Sequence, residues 1–169
     1  MNEQDDIKIQ DIVKQSISTI TDIEKDSKKI IQITEQIINC ISTGKKIIIF
    51  GNGGSAADSQ HIAAELIGRY ALERKSYPAI ALTTDTSVLT AIGNDYAFND
   101  VFSRQCQGLV NSGDTVIGIS TSGNSENVKR GLEISNDKGA FTIGLLGNKG
   151  GKIKNIVNID ISIESESTP

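Results

Sequence analysis

Isoleucine and valine recur at steps of three, four and seven residues between positions 7 and 43, a spacing that predicts an amphipathic helical stripe. This stretch holds neither glycine nor proline, and Gly44 is expected to end the helical pattern. The span predicts either one kinked helix or two helices with a break near Asp26 and Ser27. An apolar stripe outside a small α/β unit has to be buried on a neighbour, and a partner subunit is one candidate.

The pattern changes after Gly44. Residues 45–50 contain a continuous apolar run bounded by glycine, which is typical of a strand buried on both faces. Similar runs follow at residues 79–83, 115–120, 141–146 and 157–163, with helix-like segments between them near 55–72, 98–111, 125–138 and 149–155. Strands that alternate with helices favour right-handed βαβ units and a mostly parallel sheet. Ligands of such folds bind at the carboxyl ends of the strands, so function is expected in the loops that follow them.

Composition narrows the function classes. The 169 residues suggest one domain, and a hydrophobic fraction of 37 % is enough for a core. Aromatic residues make up only 4 %, so a polar ligand must be held mainly by hydrogen bonds. The net charge of −4 leaves no global basic field for nucleic acid. No run approaches the ~18 apolar residues of a membrane span, and the acidic, polar start does not resemble a signal peptide.

The two cysteines, Cys40 and Cys106, do not make a disulfide framework in a chain of this size, which fits a reducing, cytoplasmic setting. Neither has an adjacent acid–base partner, so both are expected to be inert. The chain has a single histidine, His61.

Two loops carry chemistry. Residues 50–58 join a strand to a helix through three glycines, which let a ligand approach the backbone beside a helix N-terminus. The letters also satisfy a loose GxGxxA dinucleotide pattern, but the acidic residue expected after the second strand would be Glu73, in a charged run. A tight turn without a ligand is the alternative.

Residues 119–127 make a second strand–helix junction, with four hydroxyl side chains around one glycine. Hydroxyls and backbone N–H groups at a helix start can surround an anion, and a terminal sugar phosphate fits best because the lysine of a nucleotide-triphosphate loop is absent. The alternative is a helix cap that has more hydroxyls than it needs.

His61 and Glu65 are four residues apart on the first predicted helix and therefore share one face. The pair suits a divalent metal or a carboxylate base, although a surface His–Glu pair is the simpler interpretation of the motif alone. Nearby Arg69 could pair with a substrate anion or merely solvate the helix face.

Asn94 and Asp95 follow the second strand and could hold sugar hydroxyls, or form an Asx-rich turn.

Together the motifs resemble the phosphoheptose isomerases, or sedoheptulose 7-phosphate isomerases, of the sugar isomerase (SIS) domain class. The similarity is carried in order by FGNGGSAADSQHIAAELIGRY at 50–70, ALTTDTSVLTAIGNDYAFNDVFSRQ at 81–105 and GDTVIGISTSGNSENV at 113–128. It implies a three-layer α/β/α fold with a five-stranded, mostly parallel sheet. It also implies a cytoplasmic aldose–ketose isomerase acting in heptose biosynthesis, and a homotetramer with active sites at subunit interfaces. Residues 1–44 would then be an N-terminal helical segment for oligomerisation and residues 45–169 the SIS domain.

The resemblance also assigns site residues. Phosphate contacts are expected from Ser120, Thr121, Ser122 and Ser125, and sugar contacts from Asn52, Gly53, Gly54, Ser55, Glu65, Arg69, Asn94 and Asp95. His61 and Glu65 match zinc-ligand positions, and Glu65 also matches the base that abstracts a proton.

One part of the family pattern is missing. The family has a C-terminal helix that supplies a Gln and a His, both metal ligands, whereas this sequence ends at Ser167, Thr168 and Pro169, which read as the start of a helix. The sequence could be a piece of a longer protein, the metal site could be completed differently, or the protein could be non-catalytic. We expect the remaining zinc ligands beyond Pro169, and weak zinc binding with little or no isomerase activity from residues 1–169 alone.

A rival from another class is a regulatory SIS protein of the kind that binds the bacterial replication initiator. Such proteins share the tetrameric fold and lose parts of the catalytic set. Glu65 discriminates between the two, because a pure scaffold does not need a base at that position. Its presence beside the intact glycine and hydroxyl loops favours the enzyme.

Overall fold

The computed structural model describes residues 3–164, so the helix start expected at Ser167, Thr168 and Pro169 lies outside the described part. The N-terminal segment consists of α1 (Glu3–Asp22), a 3₁₀ turn (Ile23–Asp26) and α2 (Ser27–Ser42). The backbone of Asp26 leaves helical geometry, with φ −94° and ψ 7°. The predicted break near Asp26 and Ser27 is therefore confirmed.

The sheet has five strands in the order β2-β1-β3-β4-β5, and all the paired neighbours are parallel. The strands are β1 (Ile47–Gly51), β2 (Ala79–Ala81), β3 (Thr115–Ser120), β4 (Phe141–Leu146) and β5 (Ile159–Ser162). This confirms the predicted five-stranded, mostly parallel sheet.

The helices that follow the strands differ from the prediction in three places. They are α3 (Gly54–Ile67), α4 (Thr86–Asp95), α5 (Val101–Leu109, after a 3₁₀ turn at Phe98–Asp100) and α6 (Glu126–Asp137). Helix α3 ends at Ile67 and not at 72, because the chain leaves helical geometry at Gly68. Helix α4 was not predicted at all, and its N-cap Asp85 accepts a hydrogen bond from the Val88 N–H at 2.9 Å.

The third difference is at the segment after β4, where a helix over 149–155 was predicted. The chain forms two 3₁₀ turns there, Asn148–Gly150 and Ile153–Asn155. The backbone has positive φ at Asn148, Lys149, Gly150 and Gly151, and a right-handed helix cannot run through such a stretch.

Two helical layers bury the sheet, one on each face. Alternation along β1 sends Ile47 and Ile49 to the face covered by α2 and α3, and Ile48 and Phe50 to the face covered by α5 and α6. The Phe50 ring stacks on Phe102 of α5 with centroids 4.8 Å apart. The sheet–helix core is thus closed on both faces, as the three-layer prediction requires.

Helix α1 is left uncovered by the rest of the described residues. Its apolar positions are half or more exposed: Ile7, Ile9, Ile12, Val13, Ile17 and Ile20. Among the described helices, none combines the length and hydropathy that crossing a membrane requires.

The strand order also indicates where a ligand would bind. The chain moves from β1 to β2 on one side of β1 and then returns to β3 on the other side. Parallel sheets bind ligands at such a change of direction, beyond the carboxyl ends of the strands. The loops after β1 and β3 meet at this point.

Candidate active site

The glycine loop, residues 51–55, connects β1 to α3. A Cβ at Gly51 would lie 2.7 Å from the Ser55 Cβ and 2.8 Å from the Ile119 oxygen, so only glycine lets this loop pack against β3. Gly53 has φ +57°, and no atom lies within 4 Å of a Cβ built at Gly53 or Gly54. A ligand above the first turn of α3 therefore meets open space and backbone N–H groups.

The hydroxyl loop, residues 120–125, connects β3 to α6. The buried Ser120 hydroxyl lies 3.0 Å from the Ser125 hydroxyl and 3.4 Å from the Ser122 hydroxyl. Gly123 turns the chain with φ +63°, and Thr121 is exposed in the same loop. Three of the four predicted phosphate-binding side chains therefore converge on one point.

The start of α6 is open to an anion. Ser125 occupies the N-cap position, yet among the described contacts its side chain makes no cap hydrogen bond. The Arg130 side chain hydrogen-bonds Glu126 at 2.9 Å and holds the pKa of that carboxyl below its usual range. Since this pairing offsets the acidic charge in the first turn of α6, the helix terminus stays favourable to a negative ligand.

A second glycine-rich segment, residues 147–153, supports the hydroxyl loop from behind. The Gly147 N–H donates to the Ser120 carbonyl at 3.0 Å, and the Ile153 N–H donates to the Gly123 carbonyl at 3.0 Å. A Cβ at Gly151 would lie 2.5 Å from the Gly123 oxygen. The backbone contact is so close that it requires glycine at Gly151.

The glycine loop and the hydroxyl loop are joined by a pair of amides. The Asn52 Nδ2 donates to the Asn127 Oδ1 at 2.9 Å, and the Asn127 Nδ2 donates back to the Asn52 Oδ1 at 2.9 Å. Asn127 lies in the first turn of α6 and is buried. The two ligand-facing loops therefore have a fixed relation to each other.

His61 and Glu65 lie on α3, as predicted, with the His61 Nε2 3.8 Å from the Glu65 Oε1. His61 is largely exposed, and Glu65 is about two-thirds shielded. The Arg74 guanidinium donates to the Glu65 carbonyl at 2.6 Å and to the Leu66 carbonyl at 2.9 Å. Arg74 thus caps the end of the helix that carries the candidate base.

Three predicted residues make their described polar contacts outside these loops. Arg69 follows the end of α3, and its Nη1 lies 3.4 Å from the Glu73 carboxylate. Asn94 and Asp95 end α4, where the Asn94 Nδ2 donates to the Asp95 Oδ1 at 2.8 Å. All three are exposed. The contacts within residues 3–164 do not bring them to the hydroxyl loop.

Comparison with known proteins identifies the family of the chain. Residues 11–147 match the SIS domain family. Over 141 residues the chain is 52 % identical to the phosphoheptose isomerase of Geobacter sulfurreducens, covering 83 % of this chain and 75 % of that protein. The chain belongs to the phosphoheptose isomerase family.

Solved structures of family members have the same fold. The phosphoheptose isomerase of Neisseria gonorrhoeae superimposes with a TM-score of 0.90 at 39 % identity, covering 96 % of this chain and 88 % of that chain. The phosphoheptose isomerase of Francisella tularensis gives 0.92 at 33 % identity, covering 99 % and 88 %. The family resemblance drawn from the sequence motifs is thereby confirmed.

The zinc expected of a phosphoheptose isomerase can be tested against the donors present. Catalytic zinc takes three protein ligands and one open position. His61 and Glu65 supply two donors, and no group of three His, Cys, Asp or Glu side chains able to hold a metal occurs within residues 3–164. The described donor set therefore does not fit a zinc site by itself.

The site contains residues that sequence reasoning missed. Asn127 lies inside the quoted hydroxyl-loop motif, but its partner Asn52 is 75 positions away and nothing in the spacing links them. Arg74 follows Glu73 in a charged run, and nothing in that run indicates its contact with the carbonyls of Glu65 and Leu66. Three glycines within residues 147–151 are a sequence signal for irregular backbone, whereas the sequence analysis predicts a helix over 149–155.

Proposed function

We propose that the protein is an aldose–ketose isomerase that converts sedoheptulose 7-phosphate to D-glycero-D-manno-heptose 7-phosphate, an early step toward the heptose of bacterial surface glycans. The observation that carries this proposal is the convergence of the Ser120, Ser122 and Ser125 hydroxyls at the open start of α6, in a chain of the phosphoheptose isomerase family. Such an arrangement suits a phosphate monoester, because hydroxyl and backbone donors can surround its oxygens.

We infer that the phosphate binds to Ser120, Thr121, Ser122 and Ser125, and that the sugar chain extends toward the glycine loop. Contacts with the sugar come from Asn52, Ser55 and the backbone at Gly53 and Gly54. Support for this direction comes from the Asn52–Asn127 pair, which holds the two loops side by side.

Glu65 is the proposed proton carrier. Its carboxylate takes a proton from C1 of the ketose to give the enediol, and a second acid–base group moves the hydroxyl proton from O1 to O2. The carbon-bound proton is then returned to C2, so that atoms and charge balance between the ketose and the aldose. A carboxylate within about 3 Å of both carbons can make this transfer.

Zinc is the metal proposed for the site. His61 and Glu65 would supply two ligands, and the others would come from outside the described residues. Bound metal would stabilise the oxygens of the enediol as they gain charge. No step above depends on it.

We further propose a cytoplasmic homotetramer with sites at subunit interfaces, in which residues 1–44 assemble the subunits and residues 45–169 form the SIS domain. The exposed apolar positions of α1 support this assembly, because they are left without cover in one chain. The exposed Arg69, Asn94 and Asp95 are compatible with a site that is completed between subunits.

The test uses the native protein purified from its source cells and incubated with sedoheptulose 7-phosphate in D₂O. NMR should detect the aldose phosphate, with solvent deuterium at C2 because the base exchanges its proton. Glu65→Gln should abolish both signals. The control is Glu133→Gln, which removes a surface carboxylate of α6 that is paired with Lys129, and it should leave both signals intact. A native protein that gives neither product nor deuterium exchange would overturn the proposal.

A further inference from the structure

Asn127 is a buried polar side chain at the point where the two ligand-facing loops meet, and the reaction as proposed does not use it. Its exposed fraction is 3 %. Its Oδ1 accepts hydrogen bonds from the Asn52 Nδ2 and from the Val128 N–H, each at 2.9 Å, and its Nδ2 donates to the Asn52 Oδ1. Helix α6 thus anchors the Asn127 amide, which in turn holds the Asn52 amide.

The reciprocal pairing determines what Asn52 can offer a ligand. A primary amide has two N–H donors and an oxygen with two lone pairs. The pair with Asn127 occupies one donor and one lone pair of Asn52 and fixes the plane of its amide. One N–H and one lone pair remain, in a fixed orientation, to hydrogen-bond a hydroxyl that is both donor and acceptor.

The two residues that follow Asn52 are glycines, which have no side chains to orient it. Gly53 has φ +57°, and Gly54 has open space at its Cβ position. Without a partner, the Asn52 side chain would sample several rotamers, and binding would have to order it. A buried partner that orders it in advance removes that cost.

We propose that Asn127 is a positioning residue that presents Asn52 to the sugar and fixes the separation between the sugar-binding and phosphate-binding loops. The proposal rests on the proposed function where it takes Asn52 as a sugar contact. The pairing itself does not depend on that function.

The kinetic test is a double-mutant cycle on the native protein with Asn127→Leu, Asn52→Ala and the double variant. Asn127→Leu should lower kcat/KM for sedoheptulose 7-phosphate by about tenfold. In the Asn52→Ala background the same change should have little further effect, because Asn127 acts through Asn52. Losses that multiply in the double variant would overturn the proposal, since they would mean that Asn127 acts independently of Asn52.

The matched control is Ser135→Ala, which removes another buried polar side chain of the same helix. The Ser135 hydroxyl donates to the Gly131 carbonyl at 2.6 Å, away from both loops. The Ser135→Ala variant should change kcat/KM less than twofold. A tenfold loss in this control would overturn the proposal, because it would show that any defect in α6 has the same effect.

A spectroscopic readout needs no substrate. Asn127→Leu should shift the side-chain NH₂ signals of Asn52 in a ¹⁵N NMR spectrum and speed their exchange with solvent, whereas Ser135→Ala should not. Should the leucine variant fail to fold, Asn127→Asp keeps the side-chain shape and the acceptor but removes the donor, and it should shift the same signals. Unmoved Asn52 signals in a folded variant would overturn the positioning role. Shifted signals in a protein that turns over no sugar phosphate would support the pairing and refute only the proposed function.

Discussion

The Ser125 hydroxyl hydrogen-bonds the Ser120 hydroxyl at 3.0 Å instead of capping α6, the helix that it precedes. Serine at this position usually caps a helix by accepting from the backbone two or three residues on. Here the side chain is turned toward the other loop hydroxyls. The simpler interpretation of the hydroxyl loop, as an ordinary helix cap, therefore does not describe Ser125.

Ser125→Ala should weaken phosphate binding without the usual stability loss of a removed cap. We expect about tenfold weaker binding of sedoheptulose 7-phosphate by calorimetry, because one charge-assisted donor is lost. The free energy of unfolding should fall by less than about 0.5 kcal/mol, against about 1 kcal/mol for a working cap.

Asp85→Ala is the matched control, because Asp85 does cap α4. It should cost about 1 kcal/mol in urea unfolding and leave phosphate affinity unchanged. If Ser125→Ala destabilises as much as Asp85→Ala while keeping full affinity, the hydroxyl is a cap and the phosphate assignment is wrong.

Gly151→Ala should weaken phosphate binding from behind the hydroxyl loop. The added Cβ would meet the Gly123 oxygen at 2.5 Å and the Asn124 Nδ2 at 2.7 Å, so the loop must move. Positive φ adds a backbone penalty of about 1–2 kcal/mol. We expect lower thermal stability and at least a severalfold loss of sugar-phosphate affinity.

Gly44→Ala separates the backbone penalty of positive φ from the displacement of the hydroxyl loop. Gly44 also has positive φ, at +74°, but nothing lies within 4 Å of its Cβ position. Its substitution should cost a similar backbone penalty and leave the affinity intact. Equal affinity losses in both variants would mean that destabilisation alone, and not the contact with Gly123, weakens binding.

The sequence predicts the parts of the fold that depend on local pattern. The isoleucine-rich runs predict β1, β3 and β4 to within two residues, because strands buried on both faces are continuously apolar. The sequence analysis does not predict helix α4, because an aspartate such as Asp85 occurs in turns as well as at helix N-caps and so does not identify a helix start.

The sequence predicts which loops form the site, but it does not predict the contacts between them. Motifs located the glycine and hydroxyl loops, since each motif is contiguous. The Asn52–Asn127 pair and the contact of Gly151 with Gly123 join residues that are distant in sequence. Such contacts arise from the tertiary fold, which spacing does not encode.

Zinc should bind weakly to residues 1–169. The binding free energy of a complete structural zinc site is about 10–16 kcal/mol. His61 and Glu65 are only two donors, and the described residues contain no group of three that could hold a metal. We expect a dissociation constant of about 10 μM or weaker in competition with a chelating dye. His61→Ala should weaken it further, and Asp58→Asn, on the same helix, should not. Tight stoichiometric zinc that survives His61→Ala would contradict the assignment.

The Cys106 thiol should be unreactive in the folded protein. Burial raises the pKa of Cys106 from its ordinary value near 9.0 to about 11. Since the thiolate is the reactive form, a disulfide reagent at pH 8 should modify Cys106 only as fast as the protein opens. Rapid modification under native conditions would show that the thiol is accessible.

The same shift gives stability a pH dependence. Between about pH 9 and pH 11 the unfolded chain loses the Cys106 proton while the folded protein keeps it. The unfolded state then binds fewer protons, so the free energy of unfolding falls as pH rises, by about 1.4 kcal/mol per unit from this group. Cys106→Ala should remove that part of the slope in urea titrations from pH 8 to pH 10.5. Identical slopes for the two proteins would exclude a buried, protonated thiol.

The exposed face of α1 should hold subunits together. Val13 is 51 % and Ile17 60 % exposed, and burying both against another copy would remove apolar surface that one chain leaves in water. Ile17→Glu should lower the mass measured by light scattering from that of a tetramer to that of a smaller species, while the circular dichroism spectrum stays helical. The reason is that the glutamate would be buried only in the assembled protein, so the free energy needed to bury its charge destabilises the assembly and not the fold of one chain. Gln15→Glu adds the same charge on the opposite side of the helix, and it should keep the wild-type mass. Equal masses for Ile17→Glu and the wild type would show that this face is not an interface between subunits.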